Sequence, residues 1–207
     1  PDGGAGAAKA LTCHFRRKLH PAPRGPAAAG TLIGDRRSTR RKLDDMPDGR
    51  PACACIICHD YGDRDRLDNF QLRTIVHVTQ YGWSVVLIPA TDAGPGWAYT
   101  IGLWHSHDSP ELAMFGGDVY EMEEILNTLG RQAAEGRAPG DGERREDVLR
   151  GWPVVFRAAD PLWHEAAFGG ALAFYRRTPI PFLQVVWPDP RGLFPWDAGT
   201  GGVYRRA

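Results

Sequence analysis

The chain has 207 residues, 43% of them hydrophobic and 10% aromatic, and its 25 Lys and Arg residues balance its 25 Asp and Glu residues. This length suits one domain with a full core. Zero net charge gives no global field to attract nucleic acid or an anionic membrane surface. No apolar run approaches the roughly 18 residues that a membrane span needs. We therefore expect a soluble, cytoplasmic protein that binds neither nucleic acid nor membranes.

The N-terminal part differs from the rest in composition. It is rich in Gly, Ala, Pro and Arg and has little apolar surface to bury, so burial does not offset the entropy cost of ordering it. We predict a disordered or non-native extension over residues 1–50 and a single α+β domain over residues 51–207. The first methionine is Met46, and we expect the natural protein to begin there. A functional basic arm is the alternative. No export signal is recognisable.

Three of the four cysteines lie within one short segment, ACACIICH. Thiolates at positions i, i+2 and i+5, followed by an imidazole, are soft ligands that suit Zn²⁺. The candidate metal ligands are therefore Cys53, Cys55, Cys58 and His59, with zinc as the candidate ion. The spacing is only suggestive, because strong zinc signatures contain a second, separated pair of ligands, which this chain lacks.

Three other interpretations of the cysteine segment stay open. We favour a structural one, in which Cys55, Ile56 and Ile57 dock the start of the domain on its core. A C-x-x-C redox pair is a second possibility. Covalent haem attachment through C-x-x-C-H is the third, and it requires an export that the sequence does not indicate.

The next residues predict one helix and two strands. Asp63 or Asp65 caps a helix that runs to about Gln80. The apolar, β-branched residues 83–89 predict a buried strand. Residues 97–103 predict a second strand, antiparallel to the first across a Gly- and Pro-rich turn.

The densest group of histidines and acids follows the second strand. If the backbone is extended there, His105 and His107 project to the same side and can hold a metal or relay protons with Glu111. His105, His107 and Glu111 are therefore the candidate catalytic residues. We favour the alternative that both histidines lie in an exposed loop between strands. Residues 111–115 predict the third strand.

The second half of the chain predicts helices alternating with strands. Asp118 caps a helix with apolar residues at helical spacing. The remaining predicted elements are a flexible loop at 136–146, strands at 152–157 and 182–187, and between them a helix interrupted at Gly169 and Gly170. The predicted fold class is α+β, a mainly antiparallel sheet with helices packed on one face.

Several short motifs occur in a recognisable order: YTIGL from Tyr99, PEL from Pro110, LQVVWPD from Leu183 and FPWD from Phe194. With them, roughly residues 53–197 resemble the bacterial family called domain of unknown function 4262. This resemblance implies domain limits but no particular activity. A weaker, fold-level likeness is to suppressor-of-fused-like domains, which bind other proteins, some as toxin-neutralising immunity modules.

Two functions stay open. The one we favour is a module that binds a protein or peptide, in an immunity-like or accessory role, because aromatic anchors dominate such surfaces. Its candidate binding residues are Trp104, Trp187, Asp189, Trp196 and Asp197. The alternative is a metal-dependent or acid–base enzyme that uses His105, His107 and Glu111 with the Cys and His cluster at 53–59.

Overall fold

The computed structural model describes residues 53–176 and 179–200, so the extension predicted at 1–50 lies outside the described residues. The helices in this part of the chain are α1 (Asn69–Tyr81), α2 (Leu103–His107), α3 (Val119–Ala134), α4 (His164–Ala167) and α5 (Gly169–Tyr175). The strands are β1 (Ser84–Ile88), β2 (Trp97–Ile101), β3 (Glu111–Phe115), β4 (Arg144–Leu149), β5 (Trp152–Ala158) and β6 (Phe182–Val186). Among these residues, no helix combines the length and the apolar character that a membrane crossing requires.

The six strands form one sheet in the order β1-β2-β3-β6-β5-β4. Neighbouring strands are antiparallel except β3 and β6, which are parallel. The parallel pair is in register from its first residues, with Glu111 opposite Phe182. The mixed, mainly antiparallel sheet with several helices confirms the predicted α+β class.

Helices cover both faces of the sheet, whereas the sequence predicted one covered face. Side chains alternate across a strand, so neighbouring residues of β2 enter different cores. Tyr99 belongs to the core that includes Val78 of α1 and Phe174 of α5. Ala98 belongs to the other core, which includes Leu126 of α3. Because β2 is apolar on both faces, each face needs its own helical cover.

Helix α1 begins three to five residues later than predicted. Asp68 is its N-cap: its carboxylate accepts the backbone N–H of Gln71 at 2.7 Å, and the Gln71 side chain accepts the N–H of Asp68 at 3.0 Å. This reciprocal capping box satisfies two donors that a helix start leaves free, which neither Asp63 nor Asp65 does for α1.

Strand β4 begins inside the flexible loop predicted at 136–146 and extends beyond it to Leu149. Its residues, RREDVL, pair with β5 at the edge of the sheet. This edge strand shows no apolar alternation, because four of its six residues are charged. Hydrophobic periodicity is therefore the wrong signal for finding it.

Helix α2 lies where the favoured interpretation placed an exposed loop, and both of its histidines are half-buried. Gly102 precedes it with a φ of 114°, a conformation that glycine adopts without strain. A Cβ at this position would lie 2.7 Å from a Val78 methyl and 2.9 Å from the Gly82 carbonyl oxygen. In a helix, residues two positions apart point in nearly opposite directions. His105 and His107 therefore do not share a side, as an extended backbone would have required.

We expect Gly102→Ala to lower the free energy of unfolding by about 2 kcal/mol or more, because it combines a strained backbone with overpacking against Val78. Gly116→Ala is the matched control: Gly116 also has a positive φ, of 86°, but nothing lies within 4 Å of its added Cβ. It should lose only the strain energy, about 1–2 kcal/mol. Urea denaturation measures both, and equal losses would contradict the close packing at Gly102.

Candidate metal centre

Three cysteines and one histidine converge at one point of the described structure. The Sγ atoms of Cys53, Cys55 and Cys58 lie 3.6, 3.4 and 3.4 Å from Nδ1 of His105, and all four atoms lie within 4.8 Å of one another. The histidine is 47 to 52 positions away in sequence. A single Nδ1–H donates one good hydrogen bond, so hydrogen bonding alone does not explain three sulfurs around it.

The distances fit a tetrahedral zinc site. Zinc–sulfur bonds of about 2.3 Å and zinc–nitrogen bonds of about 2.0–2.1 Å place sulfur and nitrogen about 3.5 Å apart at tetrahedral angles. The observed sulfur–nitrogen distances are 3.4–3.6 Å. An iron–sulfur cluster would hold its ligands farther apart, because several irons and sulfides would lie between them. The donor set therefore suits a single ion.

The three thiols differ in pKa because they are so close together. The pKa of Cys53 is lowered to about 4. A hydrogen bond from Cys55 is the largest cause and the neighbouring His105 adds to it, whereas burial opposes the shift. The contact with the Cys53 sulfur and then burial raise the pKa of Cys55. Burial and then the charge on Cys53 raise the pKa of Cys58. One thiolate forms readily, and a divalent cation would supply the positive charge that three thiolates need.

The cysteine segment is fixed to the core at its centre. Cys55 is 0% exposed and Ile56 is 3% exposed. The Ile56 N–H donates to the Phe174 carbonyl oxygen at 2.9 Å, and Ile57 packs at the edge of the same core. The predicted docking of this segment is thus confirmed, and it holds the cysteines in place for His105.

A buried carboxylate holds the start of α2. Glu111 is 0% exposed; its Oε1 accepts the N–H groups of Gly102 at 2.8 Å and Trp104 at 3.1 Å, and its Oε2 accepts the Thr100 hydroxyl at 2.5 Å. The Tyr175 hydroxyl also donates to Oε1 and accepts the Gly102 N–H at 3.0 Å. Burial raises the pKa of Glu111, and these hydrogen bonds oppose that rise.

The last two residues of α5 contact both the cysteine segment and the residues that hold the start of α2. The Phe174 carbonyl oxygen binds the cysteine segment, while the Tyr175 hydroxyl binds Glu111 and the residue that precedes α2. The rings of Phe174 and His105 pack edge to face, with centroids 6.5 Å apart. The four ligand atoms therefore meet where the cysteine segment, α2 and α5 come together.

Two of the predicted histidines lie outside this group. His59 is half-buried and its ring lies 6.1 Å from that of Tyr61. The His107 ring packs on Trp83 at 6.0 Å, and its Nε2 has no hydrogen-bond partner among the described residues. Burial, then the charge of His105, lowers the pKa of His107. Within the described part of the chain, no side-chain hydrogen bond joins His105, His107 and Glu111 to one another.

The predicted binding tryptophans lie at different ends of the sheet. Trp104, in α2, packs on Tyr175 with ring centroids 5.2 Å apart. Trp187 follows β6 and packs in the core that includes α3. Because β3 and β6 run parallel from Glu111 and Phe182, Trp187 lies at the end of these strands away from α2.

The two predicted binding aspartates organise turns in the closing segment. Asp189 is 4% exposed and accepts the N–H groups of Arg191 at 2.9 Å and Leu193 at 3.0 Å. Asp197 accepts the Phe194 N–H at 2.8 Å. Both carboxylates thus bind the backbone of their own segment.

Trp196 is partly exposed and packs among aromatic and cationic side chains. It is 49% exposed and stacks on Phe194, with centroids 5.0 Å apart and planes at 6°. The Arg157 guanidinium lies 4.9 Å from the Trp196 ring centroid, and that of Arg144 lies 5.6 Å from the Phe194 centroid. We call these four residues the Trp196 surface.

Residues 77–201 match the family model described as a domain of unknown function (DUF4262). The matched range includes His105 and Glu111 and begins after the three cysteines. No curated protein and no solved structure matches the chain. The fold-level likeness to suppressor-of-fused-like domains therefore stays a prediction.

We expect Glu111→Gln to lower the free energy of unfolding by about 2–3 kcal/mol, because an amide NH₂ replaces one acceptor oxygen and leaves a buried donor unpaired. Urea denaturation in the presence of a chelator measures this loss without any contribution from metal. Glu121→Gln, in the exposed first turn of α3, is the control and should stay within about 0.5 kcal/mol of the wild type. A loss for Glu111→Gln as small as that of the control would show that the carboxylate does not hold α2.

Proposed function

The chain belongs to the domain of unknown function 4262 family, and this membership implies no activity. We propose that the protein is a zinc-binding domain whose ion is held by Cys53, Cys55, Cys58 and His105. The observation that supports this is the convergence of three sulfurs at 3.4–3.6 Å on one ring nitrogen. Soft thiolates with an imidazole, at tetrahedral spacing, favour zinc over the other common metals.

The proposed role of the zinc is structural. Sites with four protein ligands are typical of structural zinc, whereas catalytic sites keep a position open for water or substrate. The ion would link the cysteine segment to α2, so that its binding free energy would add to the stability of the fold. Acid–base catalysis by His105, His107 and Glu111 is less well supported, because Glu111 is occupied in holding α2 and the histidines point apart.

Metal analysis tests the zinc site. We expect about one zinc per chain after purification under reducing conditions, and His105→Ala should lose most of it because only three ligands remain. His59→Ala is the matched control: it removes the histidine next to Cys58 that lies outside the group, and it should keep its zinc. Mass spectrometry measures the metal content of all three proteins.

The same proteins give a stability readout. A chelator should lower the melting temperature of the wild type and of His59→Ala but leave that of His105→Ala unchanged. A wild type without stoichiometric metal, or a His105→Ala variant with full metal content, would refute the proposed ligand set.

Protein or peptide binding is a second proposed function, in an immunity-like or accessory role. The Trp196 surface favours it, because Trp and Arg are the residues most enriched at binding hot spots. Trp196 stacks on Phe194 yet is half exposed. A partner that covered it would bury a large aromatic area at little entropy cost.

Peptide selection tests this second function. Peptides selected from a random library on the zinc-loaded protein should bind Trp196→Ala at least tenfold more weakly, a loss of about 1.4 kcal/mol. Trp163→Ala is the control, since it removes a tryptophan that is 65% exposed but outside the Trp196 surface. Isothermal titration calorimetry gives the affinities. Equal affinities for the two variants, or a library that yields no binder, would count against the Trp196 surface as a binding site.

A further inference from the structure

The three cysteines of the cluster differ sharply in their access to solvent. Cys58 is exposed, Cys53 is half-buried and Cys55 is 0% exposed. All three sulfurs lie within 4.8 Å of one another. A dissolved reagent can therefore reach one sulfur directly, and a second, shielded sulfur lies close enough to react with the product.

We propose that Cys58 is a modification site at which a hydroperoxide oxidises the cluster, and that Cys55 then forms a disulfide with it and releases the metal. This inference rests on the zinc site proposed above. Thiolate character and exposure decide which cysteine is oxidised first. In a zinc site all three sulfurs are thiolates, so exposure alone decides which cysteine is oxidised first.

The local backbone favours Cys55 over Cys53 as the partner of Cys58. The His59 N–H donates to the Cys55 carbonyl oxygen at 3.0 Å, which closes an α-turn over residues 55–59. A single helical turn places residues three positions apart, here Cys55 and Cys58, beside each other, and disulfides bridge Cα atoms about 4.4–6.8 Å apart. Cys53 lies outside this turn.

The chemistry proceeds in two balanced steps. The Cys58 thiolate attacks one peroxide oxygen: an S–O bond forms, the O–O bond breaks and hydroxide leaves. The sulfur loses two electrons to become a sulfenic acid, and the peroxide gains them. The Cys55 thiolate then attacks the Cys58 sulfur: the S–S bond forms, the S–O bond breaks, and the departing hydroxide takes a proton to become water.

The disulfide removes two of the four ligands at once. Only Cys53 and His105 remain, which is too few for a stable tetrahedral site, so zinc leaves. The Ile56 N–H bond to Phe174 keeps the cysteine segment docked during the reaction. A dithiol reductant restores both thiols, so the release is reversible.

The experiment uses the full chain with Cys13→Ser, which removes the fourth cysteine and prevents unrelated disulfides. Zinc content is measured first; hydrogen peroxide is then added, and a chromogenic chelator reports released zinc. We expect about one zinc per chain to be released and tandem mass spectrometry to find a Cys55–Cys58 disulfide, with Cys53 as the alkylated thiol. Dithiothreitol and added zinc should restore the starting state.

Two variants test the role of the exposed sulfur. Cys58→His keeps four ligands but removes the exposed thiol, and it should release zinc at least tenfold more slowly. His59→Ala is the control, because it lies outside the ligand group and keeps all three cluster cysteines, and it should release zinc at the wild-type rate. Disulfide mapping in the chain that retains all three cluster cysteines identifies the partner of Cys58, so the proposal is tested even if a variant does not fold.

The possible failures are distinguishable. A chain that holds no zinc before peroxide is added refutes the zinc proposal and this inference with it. A zinc-loaded chain that keeps its metal refutes this inference alone. So does a Cys53–Cys58 disulfide, or Cys58 oxidised to sulfinic acid without a disulfide.

Discussion

The candidate metal centre depends on the buried carboxylate of Glu111. Burial raises the pKa of this group, and the two hydroxyl groups and two backbone N–H groups that donate to it oppose the rise. Two of those donors belong to Gly102, the residue before α2, and to Trp104, the second residue of α2. The same hydrogen bonds that stabilise the carboxylate therefore determine where α2 begins and where His105 lies.

The end of α5 extends this constraint to the cysteines. Phe174 binds the cysteine segment through its carbonyl oxygen, and Tyr175 binds Glu111 through its hydroxyl. Adjacent residues of one helix thus set the distance between ligands that are about fifty positions apart in sequence. Of the three thiols, only that of Cys53 has a lowered pKa, so a divalent ion bound by all three would displace protons from the other two. In the proposed zinc site, metal binding, thiol protonation and the packing of α2 would therefore be coupled.

The sequence predicted those parts of the fold that carry a periodic or capping signal. Apolar runs located β1, β3 and β6, and Asp118 located the start of α3. The short helix α2 has only five residues, too few to show a helical period, and the charged edge strand β4 shows no apolar alternation. Spacing alone identified the three cysteines. Spacing did not show that His105, and not the His59 next to Cys58, is the fourth member of the cluster. The position of His105 depends on α5 and Glu111, which are distant from the cysteines in sequence.

The most direct test of the zinc centre is X-ray absorption spectroscopy at the zinc edge of the loaded full chain. We predict a first coordination shell of three sulfurs at about 2.3 Å and one nitrogen at about 2.0–2.1 Å, with the nitrogen contribution lost or replaced by water in His105→Ala. A shell of nitrogen and oxygen alone, or a spectrum that His105→Ala leaves unchanged, would contradict the four-ligand site.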